Sequence, residues 1–154
     1  MTKEYAIIVA GGKGTRIKSD LPKQFIELNG VPVLVHTLRA FYRYSSTITI
    51  ILVIPEGDLA TWNSIAAKYS DIASVILQKG GASRFQSVKN GLEKITGDGL
   101  VAIHDGVRPL ASEDIIRTSF SVASVHRTAV AAARPALRAA RTPQRLERPR
   151  RDQR

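Results

Sequence analysis

Continuous apolar runs and helically spaced apolar stripes alternate along most of this chain. Tyr5 to Ala10 is an unbroken apolar run closed by Gly11-Gly12, the pattern of a strand buried on both faces. A long polar loop and the turn pair Asn29-Gly30 follow. Residues 33–43 then place Leu34, Leu38 and Phe41 at helical spacing. His36, in the same stretch, reads as an ordinary helix residue because no second metal or acid partner shares its spacing. The β-branched run Thr47 to Ile54, stopped by Pro55, reads as a second strand, and Asp58 is placed to cap a helix carrying Leu59, Trp62, Ala66 and Tyr69 on one stripe. Ile72 to Gln78 supplies a third strand, closed by Lys79-Gly80-Gly81. Ser83 and Gln86 then form a capping box for a helix buried through Phe85, Val88, Leu92 and Ile95. Gly97-Asp98-Gly99 turns the chain into a fourth strand, Leu100 to His104. Ser112-Glu113-Asp114 opens a helix with acids in its first turn, packed by Ile115, Ile116 and Phe120. Thr128 to Ala133 has the opening pattern of a fifth strand.

Strands that alternate with helices through connections of this length pair in parallel by right-handed crossovers. The expected fold is therefore α/β, a Rossmann-like doubly wound, mostly parallel sheet. Ligands of such sheets bind beyond the carboxyl ends of the strands, near the point where strand order reverses. That singles out loops 11–24, 55–58, 79–84 and 104–111. After Arg134 the periodicity fails: Pro135, Pro143 and Pro149 interrupt the chain and few large apolar residues follow Leu137. The expected organisation is a domain over residues 1–133, with its sheet incomplete at the C-terminus, and an Arg/Pro/Ala-rich tail over 134–154 that builds no core.

Composition sharpens this division. With 154 residues there is room for one domain. The absence of cysteine excludes disulfides, thiolate metal sites and a cysteine nucleophile. The N-terminal apolar run is far shorter than a signal h-region or a membrane span, so a soluble, cytoplasmic protein is expected. The net charge of +10 is uneven: residues 1–126 carry +3 and residues 127–154 carry +7. All eight lysines lie between Lys3 and Lys94, whereas every basic residue after His126 is arginine. Such a tail binds polyanions by counterion release, but with no interleaved aromatics it predicts no specific nucleic-acid partner.

The loop Gly11-Gly12-Lys13-Gly14-Thr15-Arg16 follows the first strand, where glycines let backbone N–H groups approach an anion and Lys13 and Arg16 add charge. It is neither a dinucleotide fingerprint, since Ile17 stands where the third glycine belongs, nor a Walker A loop. Leu21-Pro22-Lys23-Gln24-Phe25 puts a second cation on the same loop. A phosphate site is the expectation.

These two motifs resemble the sugar-phosphate nucleotidyltransferases, whose first strand leads into Ala-Gly-Gly-x-Gly-Thr-Arg and then Pro-Lys-Gln. Gly80-Gly-Ala-Ser-Arg-Phe-Gln-Ser-Val-Lys-Asn-Gly-Leu92 and His104-Asp-Gly-Val-Arg-Pro109 narrow the resemblance to the branch that cytidylylates 2-C-methyl-D-erythritol 4-phosphate. Enzymes that cytidylylate ribitol 5-phosphate share much of the pattern. The resemblance implies a nucleotide-diphospho-sugar transferase fold and the substrates CTP and a sugar-alcohol phosphate. It implies nucleotide contacts from Ala10, Gly11, Gly12, Gly14, Gly81 and Ser87, with Arg16 and Lys23 as the catalytic cations. Asp105 would hold Mg2+ or another divalent cation, Arg108 would face the methylerythritol phosphate, and Arg84 matches a recurring basic position near the nucleotide. His104 is expected to be structural. The attacking phosphomonoester oxygen is already anionic, so such chemistry needs positioning and charge neutralisation rather than a general base.

The resemblance gives out near Ala133. Members of the branch run to roughly one and a half times this length. Their remaining part supplies a dimerising β-arm, a second metal-binding aspartate, another catalytic lysine and the rest of the sheet. The homodimer of the branch therefore lacks its arm here. The switch from a patterned, lysine-containing chain to the Arg/Pro/Ala tail points to truncation or a shifted reading frame after about residue 133. An impaired enzyme is expected, or at the limit a noncatalytic nucleotide-binding fragment with a polyanion-binding tail. The side of the fourth strand that faces the absent strands is expected to be open.

Overall fold

β1 (Lys3–Val9) runs through the middle of a four-stranded parallel sheet in a computed structural model that describes residues 2–12 and 21–132. The other strands are β4 (Thr49–Ile54), β5 (Ile76–Lys79) and β6 (Gly99–Asp105), and the spatial order is β5-β4-β1-β6. β4 and β5 extend the sheet to one side of β1 and β6 lies on the other, so strand order reverses between β1 and β6. A short antiparallel hairpin of β2 (Glu27–Leu28) and β3 (Val31–Pro32) precedes the first helix. The helices are α1 (Val33–Tyr44), α2 (Leu59–Ala66), α3 (Arg84–Leu92) and α4 (Glu113–His126).

The sheet is covered on both faces. Ala6, Ile8, Ile50, Leu52 and Ile54 pack with Leu34, Leu38 and Phe41 of α1, Trp62 of α2, and Ile116 and Phe120 of α4. Tyr5, Ile7, Ile51 and Val53 form the opposite face. α3 sits on that face so closely that a Cβ built at Gly91 would lie 2.8 Å from Ile7 Cγ2 and 3.0 Å from Val53 Cγ2. α4 docks on α1 through stacked Tyr44 and Phe120 rings, 5.4 Å apart. Arg117 lies over Tyr44, and the Tyr44 hydroxyl donates to Glu4 Oε1 at 2.9 Å. Burial, then that hydrogen bond, pushes the Tyr44 hydroxyl up to about 12.

Several sequence expectations need correction. The segment 128–132 forms no strand: α4 ends on Arg127 in the left-handed region (φ 70), and Val130 beyond it is 88% exposed, with no face to bury. The buried face of α3 is Ser87 and Gly91, whereas Phe85 is 78% exposed and Leu92 also faces outward, because the close seat at Gly91 sets the rotation of the helix. Ile115 of α4 is exposed too. Asp58 makes no side-chain cap for α2; the 3-10 turn Glu56–Asp58 enters that helix, and the Asp58 carboxylate accepts from Gln24 Nε2 at 2.8 Å instead. The third strand starts only at Ile76, since Ser70–Ile72 form a 3-10 turn. Only half of the capping box exists: Gln86 N donates to Ser83 Oγ, but the Gln86 side chain donates to Asn90 Oδ1. Asn29 (φ 53) and Gly30 (φ 72) take the two left-handed conformations of a tight hairpin turn.

β6 pairs with β1 along its length and with no other strand among the described residues, and Ile103 is 47% exposed. The open side expected of this strand is present.

Candidate functional site

The four parallel strands end on one side of the sheet. Val9 is in register with Asp105, and Gly106 N donates to Val9 O at 2.8 Å, so Asp105 lies beside the entry to Ala10-Gly11-Gly12. Ala10 N donates to Val53 O and Gly80 N to Ile54 O, which ties the loops after β1 and β5 to β4. This is the point of strand-order reversal, where doubly wound sheets take their ligands. A cavity of about 890 Å³ exists at the opposite, amino ends of the strands, lined by Lys3, Glu4, Tyr44 and Arg117 among others. The chemistry-bearing loops are not there.

Ala10 is buried, while Gly11 and Gly12 are exposed. Among the described residues nothing lies within 4 Å of a Cβ built at Gly12. Packing among the described residues therefore does not demand glycine there. Gly14 and Arg16 lie outside the described residues. Lys23 opens the 3-10 turn Lys23–Phe25, and its two neighbours anchor it: Phe25 is 3% exposed, and Gln24, 1% exposed, donates to Asp58.

Gly81 and Ser87 lie together. Gly81 N donates to Ser87 Oγ at 3.0 Å, and that hydroxyl donates to Ser83 O at 2.9 Å. A Cβ on Gly81 would fall 2.2 Å from Gln86 Cγ. The Ser87 hydroxyl has spent its proton and one lone pair, so one acceptor position remains.

Asp105 is the electrostatic centre. Its Oδ1 accepts from Arg84 Nε and Nη2 at 3.2 and 3.0 Å, and its Oδ2 from Arg108 Nε at 2.9 Å. Burial alone raises the Asp105 carboxyl, but the hydrogen bonds and charges of Arg84 and then Arg108 outweigh it and hold the group below the ordinary carboxylate value. The loop after β6 is fixed from below: Thr37 of α1 donates its hydroxyl to Gly106 O at 2.9 Å in a buried contact. His104 makes an edge contact with Phe41, ring centroids 5.3 Å apart, and its Nε2 lies 3.0 Å from Arg108 O; both contacts suit a structural role. His36 Nε2 meets Leu28 O at 2.8 Å.

Sequence reasoning missed Thr37 and the grip of Arg84 on Asp105. Thr37 gave no signal, because a threonine on an apolar helix face reads as packing. For Arg84 the signal was its place as first residue of a capped helix in a candidate loop.

Fold and geometry together define a doubly wound α/β domain whose glycine turn and Arg84–Asp105–Arg108 cluster meet at the reversal of strand order. The sequence profile described as IspD, 2-C-methyl-D-erythritol 4-phosphate cytidylyltransferase, matches residues 5–144, and the chain belongs to that family. The match runs past residue 133, where the motifs read from the sequence give out. The 2-C-methyl-D-erythritol 4-phosphate cytidylyltransferase of Bacteroides thetaiotaomicron is 44% identical over 128 residues, which are 83% of this chain and 58% of that protein. The enzyme of the same name from Azobacteroides pseudotrichonymphae is 48% identical over 123 residues, 80% of this chain and 55% of that one. Among solved structures, 4-diphosphocytidyl-2C-methyl-D-erythritol synthase from Anaerococcus prevotii superposes with a TM-score of 0.65 at 33% identity, covering 79% of this chain and 50% of that one. The chain thus spans somewhat more than half the length of these two curated relatives.

Proposed function

We propose that the chain carries the nucleotide-binding half of an enzyme that transfers a cytidylyl group from CTP to 2-C-methyl-D-erythritol 4-phosphate, with release of pyrophosphate. The observation that carries this reading is the juxtaposition of Asp105, Arg84 and Arg108 with the bare Ala10-Gly11-Gly12 loop at the reversal of strand order. In the reading, the acceptor's phosphate oxygen attacks the α-phosphorus, the new P–O bond forms as the bond to pyrophosphate breaks, and no proton need be removed. Backbone N–H groups of the glycine loop, Arg16 and Lys23 neutralise the charge that builds on the phosphates, and Arg108 faces the acceptor. Losing one such cation costs roughly 3 kcal/mol of barrier, by analogy with oxyanion-hole donors. Ser87 keeps one acceptor free near Gly81, which suits the exocyclic amine of cytosine and not the carbonyl of uracil.

Mg2+ fits this reading in one way. No group of three or more His, Cys, Asp or Glu side chains gathers among the described residues, so no all-protein cage is available. Magnesium is commonly held by one or two carboxylates together with substrate phosphates, and Asp105 is such a carboxylate. The ion would neutralise charge on the triphosphate. CTP and a sugar phosphate are metabolites of the cytoplasm, and we place the enzyme there.

The test is pyrophosphate release with CTP, UTP, ATP and GTP, each paired with methylerythritol phosphate and with ribitol phosphate. Turnover only with CTP and methylerythritol phosphate is expected, at a rate well below that of a full-length relative. Preference for ribitol phosphate, or no nucleotide preference, would overturn the assignment.

A further inference from the structure

Arg84 reaches Asp105 across the sheet. α3 packs on β1 and β4, as the Gly91 contacts with Ile7 and Val53 show, whereas Asp105 ends β6 on the far side of β1. The Arg84 side chain therefore crosses the carboxyl end of β1, alongside the Ala10-Gly11-Gly12 loop. With Arg108 bound from the other side, both carboxylate oxygens are occupied by guanidinium donors. The trio carries two positive charges and one negative. It attracts an anion, while a free divalent cation meets net repulsion and an Oδ1 whose two lone pairs are both taken, with one lone pair left on Oδ2. The contacts are also breakable: the Arg84, Arg108 and Asp105 side chains are 60%, 72% and 30% exposed, the regime of weak ion pairs.

We propose that Arg84 exchanges partners, holding Asp105 in the nucleotide-free protein and moving to triphosphate oxygens when nucleotide binds, which frees Asp105 Oδ1 for the accompanying divalent cation. The exchange rests on the nucleotide reading above. A planar guanidinium suits both partners, since it makes paired hydrogen bonds to carboxylates and to phosphates alike. The consequence is linkage: nucleotide raises cation affinity, and cation raises nucleotide affinity by the same factor. Nothing covalent changes.

Mn2+ titration of the whole chain, read from the spectroscopic signal of the free ion, tests this with and without CTP. Circular dichroism checks that each variant is folded. Without CTP, Arg84→Gln should bind Mn2+ about three- to fivefold more tightly than the unmodified chain, the scale of one exposed ion pair. The increase in Mn2+ affinity on adding CTP should shrink correspondingly. Adding Asp105→Asn should abolish the gain. Unchanged or weaker nucleotide-free Mn2+ binding in Arg84→Gln overturns the exchange, as does a gain that survives Asp105→Asn. If CTP still binds and Asp105→Asn still weakens Mn2+ in its presence, the exchange alone is wrong and the nucleotide reading stands. If CTP binds no form, both fall.

Discussion

A single methyl group added at Gly91 should both destabilise the domain and disturb the crevice. The Cβ of Gly91→Ala would stand 2.8 Å from Ile7 Cγ2 and 3.0 Å from Val53 Cγ2, and both residues are buried in the sheet at 0% and 1% exposure. Carbon atoms prefer separations of about 3.5–4.0 Å, so α3 or the sheet must give by roughly half an ångström or more. Overpacking of this kind costs about 1–3 kcal/mol, and the better helix propensity of alanine returns up to about 1 kcal/mol. The net loss is about 1–2 kcal/mol, or a fall in Tm of roughly 2–8 °C for a domain of this size. Ser87 lies one turn before Gly91 on the same buried face, so displacement of α3 also loosens its bond to Gly81. Thermal and urea unfolding followed by circular dichroism measure the first effect and CTP titration the second. An equal or higher Tm in Gly91→Ala would refute the close seat of α3 on β1 and β4.

Other substitutions probe the site's supports. Thr37→Val should cost about 1–3 kcal/mol in urea unfolding, because the buried Gly106 carbonyl loses its donor, while Thr37→Ser should recover most of it. Asp105 is held below its ordinary value, so its contribution to stability is present above the unfolded value near ~3.9 and is lost as pH falls through the folded one. Asp105→Asn should therefore be less stable than the unmodified chain at pH 6 and approach it as pH falls below the folded Asp105 value; a difference independent of pH contradicts the clamp. Tyr44, raised to about 12, contributes stability that is full below the unfolded value near ~10 and is lost as pH rises through the folded one. Absorbance titration should show a late tyrosine component that Tyr44→Phe removes.

The order of elements was legible because each strand is a run of apolar residues ended by Gly or Pro, a signal that survives without tertiary context. Parallel pairing followed from the alternation with helices, whereas the strand order that puts the reversal beside β1 did not. What failed depended on neighbours. Phe85 fits a helical stripe, but the rotation of α3 is set by the absence of a side chain at Gly91, which no periodicity count weighs. Asp58 has the composition of a cap, but buried Gln24 from a distant loop claims its carboxylate. Thr128–Ala132 reads as a strand opening, but Arg127 turns the chain in the left-handed region and Val130 is left exposed. The site followed the same rule. The candidacy of Lys23, Gly81, Ser87, Asp105 and Arg108 was readable from motifs, whereas the grip of Arg84 on Asp105 needs the sheet order to be seen.

Calorimetric titration of CTP into the chain, and into a double variant with Arg16→Gln and Lys23→Gln, measures most directly whether the crevice beyond β1 is built for a triphosphate. Saturable binding to the unmodified chain, stronger than that of UTP and strongly weakened in the double variant, is the predicted result. Equal binding of CTP to both proteins would contradict it.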